Sequence, residues 1–261
     1  MTPAKTLTMT PAEEYRLIAR SGLFDVNHYL LEAPDVVADG ADPLVHFCRF
    51  GAREGRRPNL YFDPAWYAGL YLGGNPGGVN PVCHYIRLGE RRGLRPIGYF
   101  EPGWYARTYR LRRGTSPLRH YLTHRRSQLY APNALFDVAW YLERHGAEIG
   151  RNRDAFAHLL RHGARRDLAG SPGFDAGAYR ARHGLSAAPA SALVVDQEAC
   201  NPLVHHLKAQ AAQEFASGEF ASGEFASGEF ASGEFASGEF ANEELARHGA
   251  VRRPWWRRIL R

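Results

Sequence analysis

FDPAWYAGLYLGGNPGGVNPVCHYIRLGERRGLRP, residues 62–96, decides the fold, because its two halves recur along the chain. The first half reappears as FDVNHY from Phe24, FEPGWY from Phe100, FDVAWY from Phe136 and FDAGAY from Phe174. The second reappears as DPLVHF around His46, SPLRHY around His120, DAFAHL around His158 and NPLVHH around His205. Phe to Phe the spacings are 38, 38, 36 and 38, and each of the first four His precedes the next Phe by 16 residues. Two anchors in register over four full copies define a tandem repeat. A period of this length predicts units stacked against one another.

Each half reads as a short helix with its own start. Asp25, Asp63, Asp137 and Asp175, with Glu101 in the third unit, stand where an N-cap belongs, and Pro64 and Pro102 take the first helical position. Asp42, Asn80, Ser116 and Asn201 precede Pro43, Pro81, Pro117 and Pro202 in the same way. Trp66 and Tyr67, Trp104 and Tyr105, and Trp140 and Tyr141 follow as bulky groups to bury, and Gly51, Gly89 and Gly163 read as helix stops. Thr10-Pro11-Ala12-Glu13 is a capping box that starts a leading helix. Isolated helices shorter than about 12–15 residues are marginal in water, so each unit needs its neighbours. The expectation is an all-α fold of helix-loop-helix repeats in a stacked or solenoid-like array.

The organisation read along the chain is a capping helix over 1–22, four repeats over 23–173 and a degenerate fifth over 174–213. In that fifth unit the Phe-to-His distance grows to 31. A low-complexity tract with EFASG written five times covers 214–241, and a short helix with a basic tail covers 242–261. A five-residue period gathers one apolar face neither on a helix nor on a strand, so the tract reads as a largely disordered spacer.

The net charge of +6 rests on arginine, Lys5 and Lys208 being the two lysines. A basic surface favours acidic partners. Arg53, Arg56, Arg57, Arg91, Arg92, Arg95, Arg125, Arg126, Arg165 and Arg166 fall near one phase of the repeat. They form a candidate anion-binding ridge, against the plainer reading of a charged, solvated turn. In VRRPWWRRILR, Arg252, Arg253, Trp255, Trp256, Arg257, Arg258, Ile259, Leu260 and Arg261 have the make-up of an interfacial membrane segment, or of a linker stub. Three cysteines outside any CxxC pattern point away from a disulfide framework and towards a reducing compartment. The N-terminus lacks the apolar core of a secretory signal. The location expected is cytoplasmic, peripheral to the inner membrane.

Catalytic motifs are missing. GGNPGG, Gly73 to Gly78, has no following Lys-Ser/Thr and reads as a loop, and there is no GxSxG. The aligned histidines read as hydrogen-bonded packing residues rather than shared ligands. His120/His124 and His158/His162 share helix faces at i,i+4, but HYLTH and HLLRH lack the glutamate of HExxH and show no third ligand. No metal site, cofactor or enzymatic activity is expected.

The unit FDxxWY…(D/N)PLxHYxxxGxxEGRxP resembles repeats that accompany glycosyltransferases in bacterial capsule, exopolysaccharide and lipopolysaccharide loci. The match spans Leu23 to about Pro172, with a weaker copy through His206, and LIARSGLFD at its start is also similar. The resemblance implies a non-enzymatic scaffold beside polysaccharide synthesis, binding a protein partner, an anionic glycan or the membrane face, and it carries over no site residues. The alternative is a nucleic-acid-binding repeat protein that uses the Arg ridge.

Overall fold

The computed structural model describes residues 9–74, 78–186, 188–189 and 194–217, which fall within one compact unit. Those residues are all-α, with no strand among them. The capping box at Thr10 forms as expected and starts α1, Pro11–Ser21, which packs on the second-half helices of the first two units.

The first unit holds α2, Val26–Glu32, α3, Pro34–Asp39, and α4, Pro43–His46, which continues as a π-helical turn over Phe47–Gly51. The second holds α5, Pro64–Tyr71, and α6, Pro81–His84, with the same π-helical continuation over Tyr85–Gly89. The third has α7, Pro102–Thr108, and α8, Pro117–His124; the fourth has α9, Val138–Ile149, and α10, Ala155–Arg166. The fifth contributes α11, Ala176–His183, α12, Val194–Glu198, and α13, Pro202–Ser217. Among the described residues no helix is long and apolar enough to cross a membrane.

The start signals act as the sequence implies. Asp63 accepts from the Trp66 N–H at 2.9 Å and Asp137 from that of Trp140 at 3.0 Å; Asp42 accepts from Val45 at 2.9 Å and Asn201 from Leu203 at 3.1 Å. Glu101 is the exception, with no side-chain cap bond. In the first four units the backbone N–H of the capping residue also reaches forward to the end of its own unit: Asp25 to Pro58 O, Asp63 to Pro96 O, Glu101 to Pro132 O and Asp137 to Gly170 O, at 2.8 to 3.1 Å.

The aromatic core differs from the expectation in one respect. Trp66, Trp104 and Trp140 are half-buried, whereas Tyr67, Tyr105 and Tyr141 are fully buried with Phe62, Phe100 and Phe136. Each tyrosine hydroxyl meets the Nδ1 of the repeat histidine: Tyr29–His46 at 2.8 Å, Tyr67–His84 at 2.9 Å, Tyr105–His120 at 2.8 Å, Tyr141–His158 at 2.8 Å and Tyr179–His205 at 3.0 Å. A buried phenol needs a partner for its O–H, and the histidine one helix away supplies it. This also corrects the reading of Gly51 and Gly89 as helix stops. Both sit in π-helical turns, where a Cβ would overlap the hydroxyls of Tyr29 and Tyr67. The left-handed stops lie further on, as at Gly93, with φ +68°.

Contacts are not confined to consecutive units. Tyr61 donates to Asp154 at 2.7 Å, meets the Tyr121 hydroxyl at 3.3 Å and packs its ring 4.8 Å from that of Tyr121. Tyr99 packs 5.5 Å from Phe156. The spacer boundary also moves. α13 runs through the first EFAS, with Glu214 on Arg95 at 2.6 Å and the Phe215 ring 5.3 Å from that of Tyr71. The remaining copies and the 242–261 tail lie outside the described residues.

Candidate functional site

The ten arginines of the proposed ridge divide by environment. Arg57 and Arg95 are buried, at 6% and 5% exposure, and do not belong to a surface. Arg57 reaches both carboxylate oxygens of Glu198, at 2.6 and 2.9 Å, and Asp63 at 2.5 Å. Tyr99 and Lys208 complete the shell of Glu198 at 3.0 and 2.9 Å. Burial alone would raise the Glu198 carboxyl; the charge and hydrogen bonds of Arg57, with Lys208, outweigh it and hold it low. Arg95, one repeat later, bonds Gly98 O, Glu101 and Glu214. Glycine-rich turns deliver both guanidiniums inward, where an unpaired charge would be prohibitive, so each has acidic partners.

Arg56, Arg125 and Arg166 are committed to carboxylates nearer the surface. Arg56 forks onto Asp35 with two bonds of 2.7 Å and reaches Glu54 at 2.6 Å. Arg125 joins Asp25 at 3.0 Å to Asp154 at 3.3 Å, which ties the third unit to the first and fourth. Arg166 binds both oxygens of Glu148, at 2.7 and 2.8 Å. Arg165 is exposed and donates to Pro189 O at 2.8 Å. Arg53, Arg91, Arg92 and Arg126 are exposed on the turns after their helices. The continuous ridge is therefore reduced to separate surface guanidiniums. The tail candidates Arg252, Arg253, Trp255, Trp256, Arg257, Arg258, Ile259, Leu260 and Arg261 lie outside the described residues.

A groove of about 550 Å³ opens between the end of α1 and α8, lined among others by Ser21, Leu23, Glu90, Ser116, His120 and His124. Several of its polar groups are already engaged. Ser116 donates to Glu90 and caps α8, and the Nδ1 of His120 is held by Tyr105. Burial raises the Glu90 carboxyl. Cys48 and Cys83 are buried free thiols; burial pushes Cys48 up to about 12 and raises Cys83 as well, opposite to the activation a nucleophilic thiolate requires.

The residue that sequence reasoning missed is Glu148. It comes from the last turn of α9 to the His158/His162 pair of α10, so that its carboxylate and both imidazoles offer ligand atoms within 4.8 Å of one another. Hydrogen bonds from Arg166 first hold the Glu148 carboxyl at about 2. Burial lowers His158 and outweighs the pull of Glu148, and burial lowers His145 beside it. Ten residues separate Glu148 from His158, a distance that crosses the loop between helices and that an i,i+4 motif search does not see. Comparison with protein-family profiles, with curated proteins and with solved structures returns no match for this chain.

Proposed function

We propose that the chain is a non-enzymatic repeat scaffold that binds an acidic glycan in cell-surface polysaccharide assembly. Its five units would be stacked in register and cross-tied by polar contacts between copies that are not neighbours. The observation that carries this reading is how the repeated chemistry is spent. In every unit the tyrosine and histidine are consumed by each other. Meanwhile the indoles of Trp66 and Trp104 stay half-open, that of Trp140 carries the Arg144 guanidinium 3.9 Å over one face, and Arg53, Arg92 and Arg126 stay exposed. Half-open rings offer flat apolar faces, and guanidiniums offer paired donors to carboxylates. The repeat's resemblance to glycosyltransferase-associated units supplies the biological setting. The tail, with five arginines and two tryptophans, would hold the scaffold at the inner membrane face.

The test compares binding of the full chain to an acidic exopolysaccharide, the same polymer with its carboxyls reduced, duplex DNA and anionic vesicles, at low and high salt. Binding to the acidic polymer that is lost on carboxyl reduction supports the proposal. Tighter binding to DNA at matched charge, with a steep salt dependence, would replace it with the nucleic-acid reading. Vesicle binding that disappears on deletion of residues 251–261 assigns the membrane contact to the tail; vesicle binding that survives the deletion removes the tail from the account.

A further inference from the structure

The fourth unit differs from its siblings where α9 meets α10. All five units carry the Tyr–His pair, but four residues after the histidine the first, second and fifth units have Phe50, Leu88 and Ala209. The third has His124, but twelve residues after its leading Phe it has Arg112 where the fourth has Glu148. Among the described residues, only in the fourth do a second histidine and a carboxylate come together with the common one.

Their ligand atoms lie within 4.8 Å of one another. His158 is 8% exposed, and its Nδ1 is held by the Tyr141 hydroxyl at 2.8 Å. A hydrogen bond on the far ring nitrogen is what orients a ligating imidazole and sets its tautomer. The near nitrogen, Nε2, is buried without a hydrogen bond, although it lies 3.2 Å from Glu148 Oε1. A buried imidazole nitrogen beside a carboxylate oxygen can share with it either a proton or a metal cation that both contact. One turn along α10, the His162 ring lies 4.6 Å from that of His158.

We propose that Glu148, His158 and His162 form a binding site for a divalent transition-metal ion of the zinc class, with a remaining position open to water. Two imidazoles and a carboxylate suit zinc, cobalt or nickel better than magnesium or calcium. Ligand bonds of about 2.1 Å at tetrahedral angles put two ligand atoms roughly 3.4 Å apart. The present spread of up to 4.8 Å therefore closes by rotation of the exposed Glu148 and the half-buried His162 side chains. Arg166 is the internal competitor: its guanidinium occupies both oxygens of Glu148 and sets a positive charge beside the site. Metal binding exchanges that guanidinium for the ion and ties α9 to α10.

The experiment uses the full, untagged, metal-free chain titrated with Zn²⁺ against a chelating indicator, and with Co²⁺ followed by its visible absorption. One equivalent should bind with the intensified Co²⁺ bands of a low-coordinate site. Glu148→Gln and His162→Ala should each weaken binding by more than about tenfold, the scale lost when even a residue supporting a metal ligand is removed. Arg166→Met should tighten it, a gain that an unfolded variant cannot mimic. His120→Ala with His124→Ala should leave it unchanged. The proposal fails if Glu148→Gln and His162→Ala bind as the parent does, if Arg166→Met does not tighten binding, or if loss of the His120/His124 pair removes the stoichiometric ion.

Discussion

Replacing Arg57 by Met separates the structural from the surface reading of the arginines. The side chain is 6% exposed and makes three charge-assisted bonds of 2.5 to 2.9 Å to Glu198 and Asp63. Glu198 is itself 2% exposed, so the substitution leaves its carboxylate in the interior with Lys208 and Tyr99 as remaining partners. Removing one member of a buried ion pair costs about 3–5 kcal/mol. The retained Lys208 places Arg57→Met near the lower end, about 3 kcal/mol. Urea unfolding followed by circular dichroism measures it. The double variant with Glu198→Gln should be more stable than the single changes predict by addition, because the stranded charge is gone. Exposed Arg53→Gln, in contrast, should change stability by no more than about 0.5 kcal/mol. A loss below about 1 kcal/mol for Arg57→Met, or strict additivity with Glu198→Gln, would refute the buried network.

Three further outcomes follow from the packing. Tyr67→Phe strips the hydroxyl from the His84 pair and should cost about 1–2 kcal/mol by urea unfolding, with the half-buried Trp66→Ala costing less than Tyr67→Ala. His28 is drawn from 6.5 to about 4 by burial, with Asp25 opposing and Arg57 and Arg125 adding to the effect. Its folded pKa is the lower one, so the unfolded chain takes up the proton first, and the stability present above pH 6.5 is lost as the pH falls towards about 4. That window should contain a loss of about 3 kcal/mol that His28→Asn largely flattens. Glu214→Gln should weaken the hold of α13 on Arg95 and lower the melting temperature, whereas deletion of residues 219–238, beyond Ser217, should leave it unchanged.

What the sequence made legible was local. Asp63, Asp137 and Asp42 cap the helices they precede, because a cap bond spans three residues and needs nothing else. The histidines were legible as hydrogen-bonded packing residues, but their tyrosine partner was not, since the bond joins two helices 17 residues apart in most units. Gly89 looked like a stop because helix stops favour glycine; its actual constraint, the Tyr67 hydroxyl, comes from the preceding helix. The burial of Arg57 and Arg95 was hidden for the same reason. Arg57 and Arg53 sit on one turn, yet only Arg57 meets Glu198, a partner 141 residues away. The tyrosine rather than the tryptophan of each pair is buried, because adjacent helical positions face about 100° apart and only one can point into the core. Glu148 escaped notice because convergence across a loop depends on helix packing, not on spacing within one helix.

The central claim, a glycan-binding scaffold, is tested most directly by replacing Arg53, Arg92 and Arg126 with Gln together and measuring affinity for the acidic exopolysaccharide by titration calorimetry at low salt. All three side chains are exposed, so the melting temperature should stay within a degree or two of the parent. Charge-assisted hydrogen bonds are worth about 1.5–3 kcal/mol each, so loss of even one contact should weaken glycan binding about tenfold or more. An unchanged affinity in a fully folded variant, or no affinity for the acidic glycan in the parent chain, would contradict the account.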